Sequence, residues 1–224
     1  MHKIPDSLTD EQALLVGDIL STGYFAATNG KVTPGDSVVV FGAGPVGLCA
    51  VACAKLFSPS KLIVVDPIEN RLEVARKLGA THTFNPATTE VISAIKELTG
   101  GAPRDLLEEF KSRSGADVAI EAVGIKATFD ACFQAVRPGG NVSIVGVFEE
   151  SQELMMRQLS MKNIGVTMGL VNVIHMGRLL KLIEAGLLDV TPLITHKMPL
   201  TDAVKGYEMF ENKLDNVIKI ALAP

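Results

Sequence analysis

A β-branched run that ends in three glycines at fixed spacing constrains this chain more than any other feature. In "VVVFGAGPVGL" (38–48) the glycines fall as G-x-G-x-x-G at Gly42, Gly44 and Gly47, and Pro45 follows the second of them. The apolar run reads as a strand, and Pro45 is pre-set for the first turn of a helix, so the stretch predicts strand, tight turn, helix. Gly42 allows the turn, Gly44 lets a pyrophosphate approach the backbone, and Gly47 lets the helix sit close to the sheet. The helix N-terminus then attracts phosphate charge. The same spacing also occurs in glycine-rich turns that hold no ligand; its position between strand and helix is what points to a dinucleotide.

Strand and helix patterns keep alternating downstream. "KLIVVD" (61–66) is followed by the helical "PIENRLEVARKLG", then a short strand "THTFN", a helix "EVISAIKELTG", strand "ADVAIEAVG", helix "KATFDACFQAVRPGG" and strand "NVSIVGVF" (141–148). A sixth strand, "IGVTMG", leads into "NVIHMGRLLKLIEAG", where Ile174, Leu179, Leu182 and Ile183 can share a face. Successive parallel strands need helices to carry the chain back, so the order implies an α/β fold with a doubly wound parallel sheet. The expected division is a lead-in helix within 1–30, the dinucleotide-binding domain over 31–190, and a tail over 191–224 that reads strand, helix, strand.

Composition removes several classes of function. With 21 basic and 25 acidic residues interspersed, a net charge of −4 and no Lys/Arg block, nothing marks a nucleic-acid or anionic-membrane partner. No stretch approaches the roughly 18 apolar residues of a membrane span, and "MHKIPDSLTDEQ" has no signal-peptide core, so a cytoplasmic location is expected. Three cysteines at uninformative spacing fit a reducing compartment. Cys49 and Cys53, one helical turn apart on an apolar helix, read as core, as does Cys132. His2, His82, His175 and His196 show no metal-ligand spacing and read as structural.

Asp66 lies about two dozen residues beyond Gly42, at the end of the second strand. There an acid can accept hydrogen bonds from both hydroxyls of an adenosine ribose, and no basic pair follows to receive a 2′-phosphate, so the coenzyme is expected to be NAD. An Asp before Pro67 also suits a helix N-cap, and the two roles are compatible.

"GDILSTGYFAA" (17–27), "VVVFGAGPVGL", "VVDPIENRLEVARKLGA", "ADVAIEAVG" and "VRPGGNVSIVGV", in this order, resemble the coenzyme-binding half of the zinc-dependent medium-chain alcohol and polyol dehydrogenases. The resemblance implies a Rossmann fold and hydride transfer between NAD and a secondary alcohol or polyol. It implies that Asp18 is a ligand of a catalytic zinc and that Thr22 lies beside the nicotinamide, with Val46 packed on the ring. It also implies that Val123–Gly124 and Val147–Phe148 line the coenzyme, that Arg71 approaches the adenosine end, and that Lys219 reaches the pyrophosphate. Judged without the family, Asp18 sits in the apolar "LLVGDILSTGYF", where a carboxylate needs a partner, exposure or a metal.

The sequence departs from that family in two ways. The Gly-His-Glu element and the other zinc ligands of the family are missing, so the chain is expected to be a fragment or an isolated coenzyme domain that by itself holds no zinc and is inactive. "APRDLLEEFKSRS" (102–114) reads as an insertion with a short charged helix. A zinc-independent quinone or enoyl reductase, or a non-catalytic NAD-responsive module, are the alternative functions. The sixth strand is uncharged from Asn163 to Leu170 and lacks proline, which predicts a homodimer through 163–170. The competing surface for association is apolar, around Leu14–Ile19 and the tail.

Overall fold

The computed structural model describes residues 2–100, 114–171 and 173–224. Strands β1 (Ser37–Phe41), β2 (Lys61–Val65), β3 (His82–Phe84), β4 (Ala116–Glu121), β5 (Val136–Ile144) and β6 (Gly165–Met168) follow one another along the chain. Among the described residues they form one parallel six-stranded sheet in the order β3-β2-β1-β4-β5-β6. The chain starts at the centre, winds out to β3, then returns to lay β4 on the other side of β1. That reversal opens a crevice over the carboxyl ends of β1 and β4, which is where α/β sheets place ligands.

Every residue of β1 is buried, because helices cover both faces. Val38 and Val40 point to one core, shared with Leu20 of α2 (Ile19–Asn29), Leu48 of α3 (Pro45–Lys55) and Leu72 of α4 (Glu69–Leu78). Val39 and Phe41 point to the other, shared with Ile95 of α5 (Val91–Thr99) and Phe129 and Phe133 of α6 (Lys126–Ala135). The continuous apolar runs thus divide between two cores with period two.

The lead-in is not one helix. It breaks at Asp18 (φ −145°, ψ −84°), which separates α1 (Asp10–Leu14) and a 3-10 turn (Leu15–Gly17) from α2. The fifth strand is displaced from the expected 141–148: β5 ends at Ile144, and 145–148 leave the sheet as a loop. After α7 (Met156–Lys162) and β6 comes α8 (Met176–Glu184), whose buried residues are Leu179, Leu180 and Ile183. Ile174 lies in the 3-10 turn before α8 and is 70% exposed, since the helical period that would have turned it inward starts only at Met176. The tail pairs β7 (Ile194–Pro199) with β8 (Lys219–Ala223) in a separate parallel sheet, with α9 (Ala203–Glu211) between them in the chain. Of the expected insertion, 102–113 lie outside the described residues.

Candidate functional site

The glycine turn is built by steric necessity. A Cβ on Gly47 would overlap the Gly42 carbonyl oxygen, so α3 can fold back onto the end of β1 only with glycine there. Gly42 itself has φ +99°, a left-handed conformation that glycine adopts freely. Above Gly44 the space is open: a Cβ there would meet only Arg71 Nη1, at 3.9 Å. Among the described residues no side chain caps the first turn of α3, and Pro45 removes one donor from it. The remaining N–H groups and the helix dipole can therefore accept an anion.

Asp66 is 5% exposed. Its Oδ2 accepts a hydrogen bond from Ala43 N at 2.7 Å, inside the glycine turn, and its Oδ1 accepts from Ile68 N at 2.8 Å. The N-cap expectation is corrected here: α4 begins at Glu69, not Pro67, its N-cap is Ile68, and Asp66 serves the bend before it. Each carboxylate oxygen keeps capacity for a further donor. Arg71, half-buried on α4, brings its guanidinium over the glycine turn.

The loops after β4 and β5 complete the crevice. Val123 is exposed and reaches over Gly42, and Gly124 packs against the backbone of Val147. Val147 is exposed; Phe148 stands edge-on to Phe129, centroids 5.7 Å apart. Together with Met168 and Leu170, Val147 and Phe148 line a cavity of about 440 Å³. Val46 is half-buried and packs against the α2–α3 side of the core.

Thr22 lies one helical turn after Asp18 and is buried; its hydroxyl donates to the Asp18 carbonyl at 3.0 Å. Asp18 itself is exposed to solvent. Lys219 and Asp18 both lie near enough to act on Cys49: burial pushes that thiol strongly up, Lys219 draws it down and Asp18 raises it. The Lys219 ammonium sits over the Phe210 ring, 5.8 Å from its centroid. All three cysteines are buried free thiols, and His196 is held by Asp215 at 3.2 Å. Among the described residues no group of three or more His, Cys, Asp or Glu side chains could hold a metal ion, so these residues do not by themselves fit a zinc. The crevice does fit a dinucleotide: it offers an uncapped helix start, open space over Gly44, and a carboxylate and a guanidinium beside it.

One residue of the site went unassigned in the sequence. Glu121, at the end of β4, is fully buried and accepts hydrogen bonds from the loop that follows it. Its only signal was an acid inside the apolar run "ADVAIEAVG".

Strand order, switch point and glycine turn define the class, a Rossmann-type α/β domain. The chain belongs to the zinc-binding dehydrogenase family, whose model matches residues 45–184. It is 38% identical to an alcohol dehydrogenase of Cupriavidus necator over 99% of this chain and 58% of that protein. It is also 38% identical to a sorbitol dehydrogenase of Bacillus subtilis, over 66% of this chain and 38% of that one. The solved alcohol dehydrogenase TADH from Thermus sp. ATN1 superposes with a TM-score of 0.89 at 35% identity, covering 100% of this chain and 61% of that one. The chain thus spans 58% of the length of the Cupriavidus relative. Among the described residues no helix is long and apolar enough to cross a membrane.

Proposed function

We propose that this domain binds NAD(H) across the carboxyl edge of its sheet and serves hydride transfer between that coenzyme and a secondary alcohol or polyol. The observation that carries the reading is the placement of Asp66, a buried carboxylate tied to the glycine turn at the end of β2. A carboxylate there accepts from ribose hydroxyls and repels a 2′-phosphate. The uncapped start of α3 and the Arg71 guanidinium would take the pyrophosphate, and the loops at Val123–Gly124 and Val147–Phe148 would enclose the nicotinamide half. Thr22 and Val46 would hold the ring. Lys219 would add positive charge toward the pyrophosphate after leaving the Phe210 ring. The coenzyme supplies the hydride; the protein supplies orientation and a dry enclosure.

The substrate class rests on the family and on its alcohol and sorbitol dehydrogenase relatives. Asp18 would be one ligand of a zinc completed by groups other than the described residues.

Fluorescence titration tests the reading directly. The chain has no tryptophan, so NADH emission is read without indole background. NADH is expected to bind at least about tenfold more tightly than NADPH, because a like-charge contact costs several kcal/mol. Equal affinities would overturn the NAD assignment.

A further inference from the structure

Glu121 holds two loops with one side chain. It is 0% exposed. Oε1 accepts three hydrogen bonds, from Val123 N and Gly124 N at 2.9 Å each and from Thr128 Oγ1 at 2.6 Å. The main-chain carbonyl of the same residue accepts from Val145 N at 3.0 Å and Gly146 N at 3.2 Å, at the start of the next loop. Oε2 has no hydrogen-bond partner among the described residues and lies against Gly146, where a Cβ would overlap both it and Gly124 N. Gly124, at φ +86°, has no room for a Cβ either, because the Val147 carbonyl oxygen is there. The 122–125 and 145–148 loops are therefore in backbone contact, with Glu121 at the junction.

A buried carboxylate with one oxygen unpartnered is a costly way to fill space. If packing were the whole task, an apolar residue of similar volume would do it with less desolvation. What an apolar residue lacks is the acceptor that turns two consecutive loop amides inward. With Val123 N and Gly124 N committed to Oε1, the loop is tied back to the end of β4 and Val123 is left exposed.

We propose that Glu121 is a positioning residue that locks the loops after β4 and β5 together and thereby pre-forms the nicotinamide half of the coenzyme site. The proposal rests on the coenzyme reading above. Asp66 lies at the end of β2, tied to Ala43 N and Ile68 N and not to the loop amides that Glu121 holds, so the adenosine half is expected to depend on Glu121 less than the nicotinamide half does. The two halves of the ligand therefore separate the effect.

The experiment compares NADH with AMP, which fills the adenosine half alone, on the wild-type chain and on Glu121→Ala, Glu121→Gln and Thr128→Val. Glu121→Ala is expected to weaken NADH at least about tenfold, because the loops must then be ordered at the moment of binding, while AMP stays within about threefold of wild type. Glu121→Gln keeps a carbonyl oxygen for the loop amides and is expected to recover most of the NADH affinity. Amide hydrogen exchange at Val123 and Gly124 is expected to quicken in Glu121→Ala and, less, in Thr128→Val, with no ligand present. Should Glu121→Ala fail to fold, Thr128→Val carries the test, since it removes one of the three donors from a surface helix. Unchanged exchange and NADH affinity in that variant, or equal losses of AMP and NADH in either, would overturn the proposal alone. A wild-type chain that binds neither ligand would overturn the coenzyme reading and the proposal with it.

Discussion

Asp66 Oδ2 takes the Ala43 amide at 2.7 Å, so the acid at the end of β2 is also a strut of the turn after β1. Charge and strut can be separated by two substitutions. Asp66→Asn keeps one acceptor for the turn and removes the negative charge, so it is expected to narrow the gap between NADH and NADPH chiefly by improving NADPH. Asp66→Ala removes both and is expected to weaken both coenzymes, since a buried Ala43 amide left without a partner costs about 1–3 kcal/mol. Parallel titrations of the two variants check this. A wild-type NADPH affinity in Asp66→Asn would show that the carboxylate does not face the 2′ position.

The glycine turn gives a second expectation. In Gly47→Ala the new methyl would overlap the Gly42 carbonyl, so β1 and α3 must separate. The expected cost is about 1–3 kcal/mol in denaturant unfolding, with loss of NADH binding. Gly17→Ala is the control: nothing lies within 4 Å of its Cβ position, and surface changes of this kind stay within about 0.5 kcal/mol.

Most of the fold was legible because its signals are local. Apolar runs, glycine spacing and Pro45 act over ten residues or fewer, and the alternation of strand and helix implies a doubly wound parallel sheet. Two departures depend on partners distant in sequence. Glu121 read as one acid in a strand, and only the approach of Gly146 and Val147 makes it a junction. The start of α4 was misplaced because Asp66 and Pro67 form a good local cap, yet the Asp66 carboxylate is drawn to Ala43, 23 residues away. For Asp18 the sequence leaves a partner, exposure or a metal open, and the structure has exposure: Leu15, Val16 and Ile19 turn inward and Asp18 faces water.

Asp117 contributes to the acid limb of stability. Burial pushes its carboxyl up, but the hydroxyl and amide of Ser37 at 2.7 and 2.8 Å and Arg137 Nε at 2.6 Å outweigh that and hold it below the ordinary range. The unfolded chain therefore takes up the proton first. The stabilisation is complete above the ordinary carboxylate value of about 4 and is lost as the pH falls through the lower folded value. Asp117→Ala should lose about 1–3 kcal/mol at neutral pH, where the buried Ser37 amide goes unpaired. Urea unfolding from neutral pH downward checks the sign: the gap between wild type and variant should shrink only below the ordinary carboxylate value. A gap that is constant or widens there would contradict the assignment.

Assembly is the last expectation. β6 pairs with β5 on one side and stands at the edge of the sheet, with Val166 exposed, Met168 59% exposed and Leu170 84% exposed. An uncharged edge without proline or bulge can continue into a second copy by two-fold pairing, so a homodimer through 163–170 is expected. The competing apolar surface is smaller than the sequence implied near the amino end: Leu15, Val16 and Ile19 are buried, and Leu14 alone of that group is exposed. It is larger on the tail, where α9 exposes Val204, Tyr207 and Phe210. Lysine at either edge position, Val166→Lys or Met168→Lys, should give a monomer in light scattering, while Tyr207→Glu should leave the mass unchanged. The reverse pattern would assign association to the tail, because a charge disrupts only the surface it is buried in. A wild-type chain that is monomeric at micromolar concentration would remove both surfaces from consideration.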